Sequence, residues 1–503
     1  MPGSVTAALL LLGGLLRDPQ LPPPPVPAGN PITEPKRILG KILFWDEQLS
    51  SDGTVACGTC HHPGRGGSDP RPGIHPGPDG VTPSADDVVG SPGVVRRDAR
   101  GVPVPDPLFG WGLQVTSRSA NSVVGAAYAP QLFHDGRASG TFVDPETGEV
   151  RIASGGALES QAVEPVLSHV EMARDGRTWT DVEAKLAISH PLEDATDLPP
   201  DLAATLAGGA TYPDLFAAAF GDPALTAQRI AFAIATYERT LVADRTPWDK
   251  FMGEDAGALT QAQTAGWNFF RSSLCAFCHT PPAFTDHGFH NIGIRPPDED
   301  LGRQNVTGNE SHRGRFKTPT LRNAALKATF MHNGRLTTML DAVLWYRADN
   351  PDRSDDNLDG AVPTQVPEEQ LGNLVDFLTH GLTDPRVAAE TFPFDRPALH
   401  GGALPRLAFA SATTLQWPPL AGVRRYNLYR GTLQALRTGG GDARCVTDPQ
   451  VGASNTFQDT AVPEPGEGFF YLKAVVDGTG AERGLGTNSA GVPRTVPLTC
   501  PEP

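Results

Sequence analysis

The sequence predicts a mainly α protein, built as two similar helical units in tandem and closed by a small all-β sandwich. Three observations carry this. The pentapeptide Cys57-Gly58-Thr59-Cys60-His61 returns as Cys275-Ala276-Phe277-Cys278-His279, and each copy follows a stretch with helical apolar spacing. Further helical patterns follow each copy. From Arg406 the pattern changes to period two, in short runs parted by Gly and Pro clusters.

Both pentapeptides are C-x-x-C-H, the pattern of c-type haem attachment: two thiols form thioethers to the haem vinyl groups and the histidine becomes the proximal iron ligand. A single copy also fits a redox C-x-x-C or half of a zinc site. Two complete copies point to two covalently bound haem c groups, one on Cys57, Cys60 and His61 and one on Cys275, Cys278 and His279. The helical units are therefore expected to be cytochrome-c-like haem domains.

The elements follow in order. Residues 5–16 are an apolar run the size of a signal h-region and too short to span a bilayer, although no basic residue precedes it. We read 1–17 as an export signal and 18–34, rich in proline, as an extended linker. The first haem domain is 35–245. Leu39, Ile42 and Leu43 set a helix near Pro35, and Ser50-Ser51-Asp52-Gly53 turns the chain into the first pentapeptide. Residues 62–110 are dense in Gly, Pro, Asp and Arg, too long for a connector, and read as a functional loop near the haem or a partly disordered segment. His75 in this loop is a candidate resting-state iron ligand; a solvated loop histidine is the commoner outcome. A hairpin is expected over 142–152, with helices over 157–163, 178–189, 200–206, 212–220 and 225–243, the last with Ile230, Phe232, Ile234 and Leu241 on its apolar side. The second haem domain is 246–398, with helices over 258–271 and within 363–380. Residues 405–503 are the β segment, with Trp417 and Tyr471 as core anchors.

Composition narrows the function. Asp and Glu outnumber Lys and Arg, 57 to 41, for a formal charge of −16. No basic stripe is visible, which argues against nucleic acid. An acidic surface suits a basic partner protein. No later segment has transmembrane length. The two cysteines left outside the pentapeptides, Cys445 and Cys500, both fall in the β segment and read as a disulfide. With haem c, this points to the periplasm or another exported location.

Eight segments together carry a resemblance. They are Leu39-Gly40-Lys41-Ile42-Leu43-Phe44, Ser50 to Gly53, the two pentapeptides, Asp135-Gly136-Arg137, Gln161 with Glu171-Met172, the run Phe316 to Asn323, and His332-Asn333-Gly334. In this order they resemble the bacterial di-haem cytochrome c peroxidase and MauG family over residues 35–395. The β segment lies outside the likeness and resembles a fibronectin type III module.

The resemblance implies a division of labour. The His61 haem is the peroxidatic one; the His279 haem is six-coordinate and relays electrons. Glu171 is the distal acid–base, ten residues after Gln161, which hydrogen-bonds in the pocket. Fourteen residues after the turn histidine His332 the family's peroxidases carry a methionine ligand and MauG a tyrosine; here the residue is Tyr346, the candidate axial ligand. Met331 and Met339 lie nearby and read as core packing. His134 stands where the family has an inter-haem tryptophan, and is at most a weak electron relay. The family also holds calcium between its domains. The carbonyls of Lys327 and Thr329 align with its ligands, but Ser119 replaces the usual asparagine, with Asn121 as a substitute. The implied function is a periplasmic di-haem peroxidase-like oxidoreductase that reduces hydrogen peroxide with electrons from a small cytochrome c or cupredoxin. The alternatives are MauG-like oxidation of a protein substrate and a di-haem electron carrier without peroxide chemistry. The distal pair Gln161 and Glu171 argues against the last.

Overall fold

The computed structural model describes residues 20–399 except 72, 111, 297, 355 and 363, and then 408–409, 413–416, 425–437, 442–446, 456–464, 467–476, 482–483 and 500. The apolar run 5–16, Trp111 and Trp417 lie outside the described residues.

The first core is organised on two helices. Glu34–Trp45 starts with Pro35 in its first turn, where a missing N–H costs nothing. Its Leu39, Ile42, Leu43, Phe44 and Trp45 are fully buried. It crosses Ala227–Glu238 at Gly40, where an added Cβ would lie 1.8 Å from the Ala233 carbonyl oxygen. Only glycine lets the two backbones meet. Ala227–Glu238 stops short of residue 243 because the N–H and hydroxyl of Thr240 both turn back to the Tyr237 carbonyl. Helices Ala157–Ala162, Trp179–Ile188, Pro200–Leu206 and Tyr212–Phe220 complete the shell. Thr178 and Thr211 cap two of them through reciprocal bonds with Asp181 and Asp214.

The long polar stretch is ordered. β1 (Gly73–His75) pairs with β2 (Val88–Gly90), and β3 (Pro92–Val95) with β4 (Leu113–Val115), all antiparallel. Its aspartates close turns: Asp86 accepts from Asp79 N–H and Asp87 from Thr82 Oγ1. β5 (Phe142–Val143) and β6 (Val150–Ile152) form the next hairpin. The described part of the proline-rich segment lies on the body, since Pro22 accepts from Tyr128 Oη at 2.6 Å and buried Asn30 donates to Glu159 at 2.8 Å.

A second core gathers Trp248, Trp267, Phe270, Phe284 and Phe377. They come from helices Pro247–Met252 and Gln261–Ser272, from the loop after the second pentapeptide, and from Glu368–Asp376 with its π-helical extension Phe377–Gly381. Gly266 again marks close contact, with Asn373 O 2.1 Å from an added Cβ. β7 (Phe289–His290) and β8 (Phe316–Lys317) pair, and Met339–Trp345 forms a two-turn helix capped by Thr338. The chain then returns: Val387, Phe394 and Leu399 belong to the first core, and Asp395 meets Lys41 at 3.0 Å.

Beyond residue 400 the strands make two antiparallel sheets. β9 (Ala408–Phe409), β10 (Thr414–Gln416), β11 (Arg425–Thr432), β12 (Arg444–Cys445), β13 (Thr456–Gln458), β14 (Phe469–Val476) and β15 (Glu482–Arg483) group in the orders β13-β10-β9 and β12-β11-β14-β15. Arg430 and Tyr471 both bond Asp459. Cys445 and Cys500 are joined by a disulfide.

Candidate haem and peroxide site

The first pentapeptide is a single helical turn, Cys57–Cys60, fixed by a 2.9 Å bond from Ala56 N–H to Thr59 Oγ1. Its Gly58 lies flat on the indole of Trp45; an added Cβ would meet that ring at 2.2 Å. His61 Nδ1 bonds the carbonyls of Asn121 at 2.9 Å and Gly67 at 3.3 Å. A carbonyl only accepts, so Nδ1 carries the proton and Nε2 is the nitrogen left for a metal. The second pentapeptide repeats the device: His279 Nδ1 donates to Phe284 O at 3.2 Å. Two thiols on a turn beside an imidazole with a free Nε2 are the donor set of haem c, and both copies fit it. Burial pushes the Cys57 thiol up to about 12 and raises Cys60 and Cys275 as well, so all three stay neutral.

Glu171 lies within electrostatic reach of the first pentapeptide: its charge reaches both Cys57 and Cys60. The loop that carries it is clamped from several sides. Gly93 of β3 approaches so closely that an added Cβ would sit 1.9 Å from Val170 O. Gln114 of β4 donates to His169 O at 2.6 Å, and Ser51 N–H to Met172 O at 2.7 Å. Arg177 spans Leu49 O and Val166 O. Burial raises the Glu171 carboxyl above its ordinary value; a Ser168 hydrogen bond and the Arg137 charge oppose it, and Glu164 adds to it. Gln161 is half-buried in Ala157–Ala162, and no hydrogen bond joins it to Glu171 among the described residues. His75 closes β1, edge-on to Phe109 at 5.6 Å, and its Nδ1 accepts from Gly77 N–H. That leaves the proton on Nε2, the opposite tautomer from His61 and His279.

The second site opens on a cavity of about 260 Å³ bordered by Cys275, Cys278, His279, Met339 and Tyr346. Tyr346 follows Met339–Trp345 and is held by Thr364 N–H on its carbonyl at 2.9 Å. Burial raises its hydroxyl, and the nearby Cys275 and Cys278 sulfurs add to this. Met331 also borders the cavity, and Met339 packs on the second core as well.

His134 and His332 border the same cavity. His134 Nε2 donates to Ser119 O at 3.0 Å; its ring meets that of His332 edge-on at 6.3 Å, and His332 stacks on Phe316 at 3.6 Å. Arg118 covers Phe316 and binds Asp135 and Asp300, both at 2.6 Å. Burial holds both imidazoles neutral, His332 down to about 4 and His134 lower than its ordinary value. Trp45 packs on Gly58 of the first pentapeptide and Trp345 donates to Ile292 O, so neither stands beside His134 in this ring stack. The stack and the lysines Lys317 and Lys327 on the cavity wall escape sequence reasoning; the one trace is a lone lysine at 327 in an apolar run.

Ser119 and Asn121, at the place of the usual side-chain ligand, have protein hydrogen-bond partners: Ser119 Oγ donates to Met331 O at 2.8 Å, and the Asn121 carbonyl receives His61. Among the described residues, the cluster of metal-type side chains lies elsewhere, at Cys278, Asp286 and His290.

The paired pentapeptides, each with a supported histidine, are the attachment set of two c-type haems, and the comparisons are with di-haem peroxidase-type proteins. Residues 34–257 match the family model described as di-haem cytochrome c peroxidase. The chain is 29% identical over 330 residues to methylamine utilization protein MauG of Methylophilus methylotrophus, covering 65% of this chain and 76% of that one. It is 28% identical over 323 residues to cytochrome c551 peroxidase of Nitrosomonas europaea, covering 63% and 75%. A solved MauG-like protein associated with microbial copper homeostasis shares the fold at a TM-score of 0.52 and 23% identity, over 75% of this chain and 96% of that chain. These likenesses support the di-haem cytochrome c peroxidase family, which implies two c-type haems, and the chain is a peroxidase-type oxidoreductase. No helix of the described residues is long and apolar enough to cross a membrane.

Proposed function

We propose that the chain reduces hydrogen peroxide at the haem on Cys57, Cys60 and His61, with electrons relayed through the haem on Cys275, Cys278 and His279. The observation that carries this is Glu171, a clamped, half-buried carboxyl in electrostatic reach of both first-site thiols. Haem iron, when bound, supplies the electrons that split the O–O bond. Glu171 manages the proton: it takes one from the near oxygen of peroxide and returns it to the far one, which leaves as water. Its raised proton affinity suits both halves of that transfer. Gln161 orients the peroxide. His61 stays neutral and directed through its carbonyl bonds. Glu171→Gln should slow peroxide consumption in stopped-flow by about 10²-fold or more; an unchanged rate removes Glu171 from the reaction.

Tyr346 favours a second reading, MauG-like oxidation of a partner protein. A phenolate ligand favours oxidised iron where a thioether favours reduced iron. Tyr346 borders the second cavity. EPR of Tyr346→Phe decides the ligand: a persistent low-spin six-coordinate signal excludes Tyr346 and turns attention to Met339 or Met331. In either reading the chain works after export, and the acidic surface steers in a basic donor such as a small cytochrome c or cupredoxin, or the protein substrate. The strand orders of three and four support a fibronectin type III-like sandwich in the β segment, acting as a tether or binding module.

A further inference from the structure

Lys327 follows Ala324-Ala325-Leu326, yet its side chain runs inward. The stem packs on the Gly66–Gly67 turn: an added Cβ on Gly66 would lie 3.0 Å from Lys327 Cγ. Gly67 O is one of the two carbonyls that receive His61 Nδ1. The other end borders the cavity of Cys275, Cys278 and His279. One lysine thus touches the support of the first site and the wall of the second. His61 and His134 both feel its charge.

Lys327 is half-buried and makes no ion pair and no side-chain hydrogen bond among the described residues. Lys317 borders the same cavity, again half-buried and without an ion pair among the described residues. Half-buried cations without a counter-charge are costly, so the arrangement calls for an anion in the cavity. A haem joined to Cys275 and Cys278 brings two propionate carboxylates into it.

We propose that the Lys327 ammonium binds a propionate carboxylate of the second haem and so ties that haem to the turn that supports His61, an internal cation at the junction where no metal ion is needed. This rests on the reading of both pentapeptides as haem sites.

The test is a spectroelectrochemical titration of the holoprotein and its Lys327→Met and Lys327→Arg variants, with haem counted as the pyridine haemochrome and metals by elemental analysis. Loss of a nearby positive charge disfavours the reduced, less positive iron. Lys327→Met should therefore lower the second haem's midpoint, and that of the first by less, while Lys327→Arg keeps both. EDTA should leave the wild-type midpoints unchanged, with no stoichiometric calcium found. Unmoved midpoints in Lys327→Met, or midpoints that fall with EDTA and recover with calcium, overturn the proposal. If Lys327→Met loses the second haem, retention in Lys327→Arg supports the proposal and loss in both overturns it. Fewer than two haems in the wild type overturns the underlying reading instead.

Discussion

The two pentapeptides share a motif and the same histidine support, yet their surroundings differ. The turn of the first is covered: Gly58 lies on a buried indole, Thr59 is buried, and Glu171 sits in a loop clamped by two strands. The second borders a cavity on one side and solvent on the other, where Phe277 is 70% and Leu274 49% exposed. Attachment is thus a local property of five residues, and the use of each haem is set by what the rest of the chain packs around it. A covered turn with a clamped carboxyl nearby suits a small molecule. An exposed apolar edge suits a large partner.

The largest test of this contrast is the pair Glu171→Gln and Tyr346→Phe. The first should cost about 10²-fold or more in the peroxide step; the second should leave that step near normal and alter only the second haem's spectrum. The pH profile adds a sign. Glu171 must be ionised to take the first proton. Because burial raises its pKa, activity should begin to fall at a higher pH than an exposed glutamate allows, and the acid limb should vanish in Glu171→Gln. Equal loss in both variants would erase the distinction between the sites.

Position two of each motif gives the next test. Gly58→Val drives a methyl into Trp45 and should cost about 1–3 kcal/mol, as overpacking does. Ala276→Val, at the matching place, already carries a Cβ and should cost less. Thermal unfolding of the two variants reads the difference. Tyr237→Phe is milder: it strips the partner from the Trp45 indole N–H, now bonded at 3.1 Å, for about 1 kcal/mol.

These residues also show what a sequence discloses. The pentapeptides and the helices over 34–45, 179–188 and 261–272 are local signals of spacing and capping, and they are legible. Glu171 is legible only through its spacing from Gln161 within a family pattern. The ordered stretch after His61 is not, because strands of three or four residues are too short to show period two. Contacts such as Gly64 N–H to Glu390, or Phe316 stacked on His332, leave no periodic trace. The placement of Lys327 is hidden for the same reason: its stem packs on Gly66, far away in the sequence.

The smallest effect on stability should come from Phe277→Ser. The ring is exposed and touches little, so unfolding should move by no more than about 0.5 kcal/mol. Its effect on a protein donor should be larger. An exposed aromatic beside the second haem is the kind of anchor that carries binding energy at an interface. With a protein donor, Phe277→Ser should raise KM while kcat at saturation holds. With a small-molecule reductant, which needs no docking surface, turnover should be unchanged. A KM that stays fixed for the protein donor would mean that electrons enter elsewhere, and the contrast between a covered first turn and an exposed second one would lose its functional meaning.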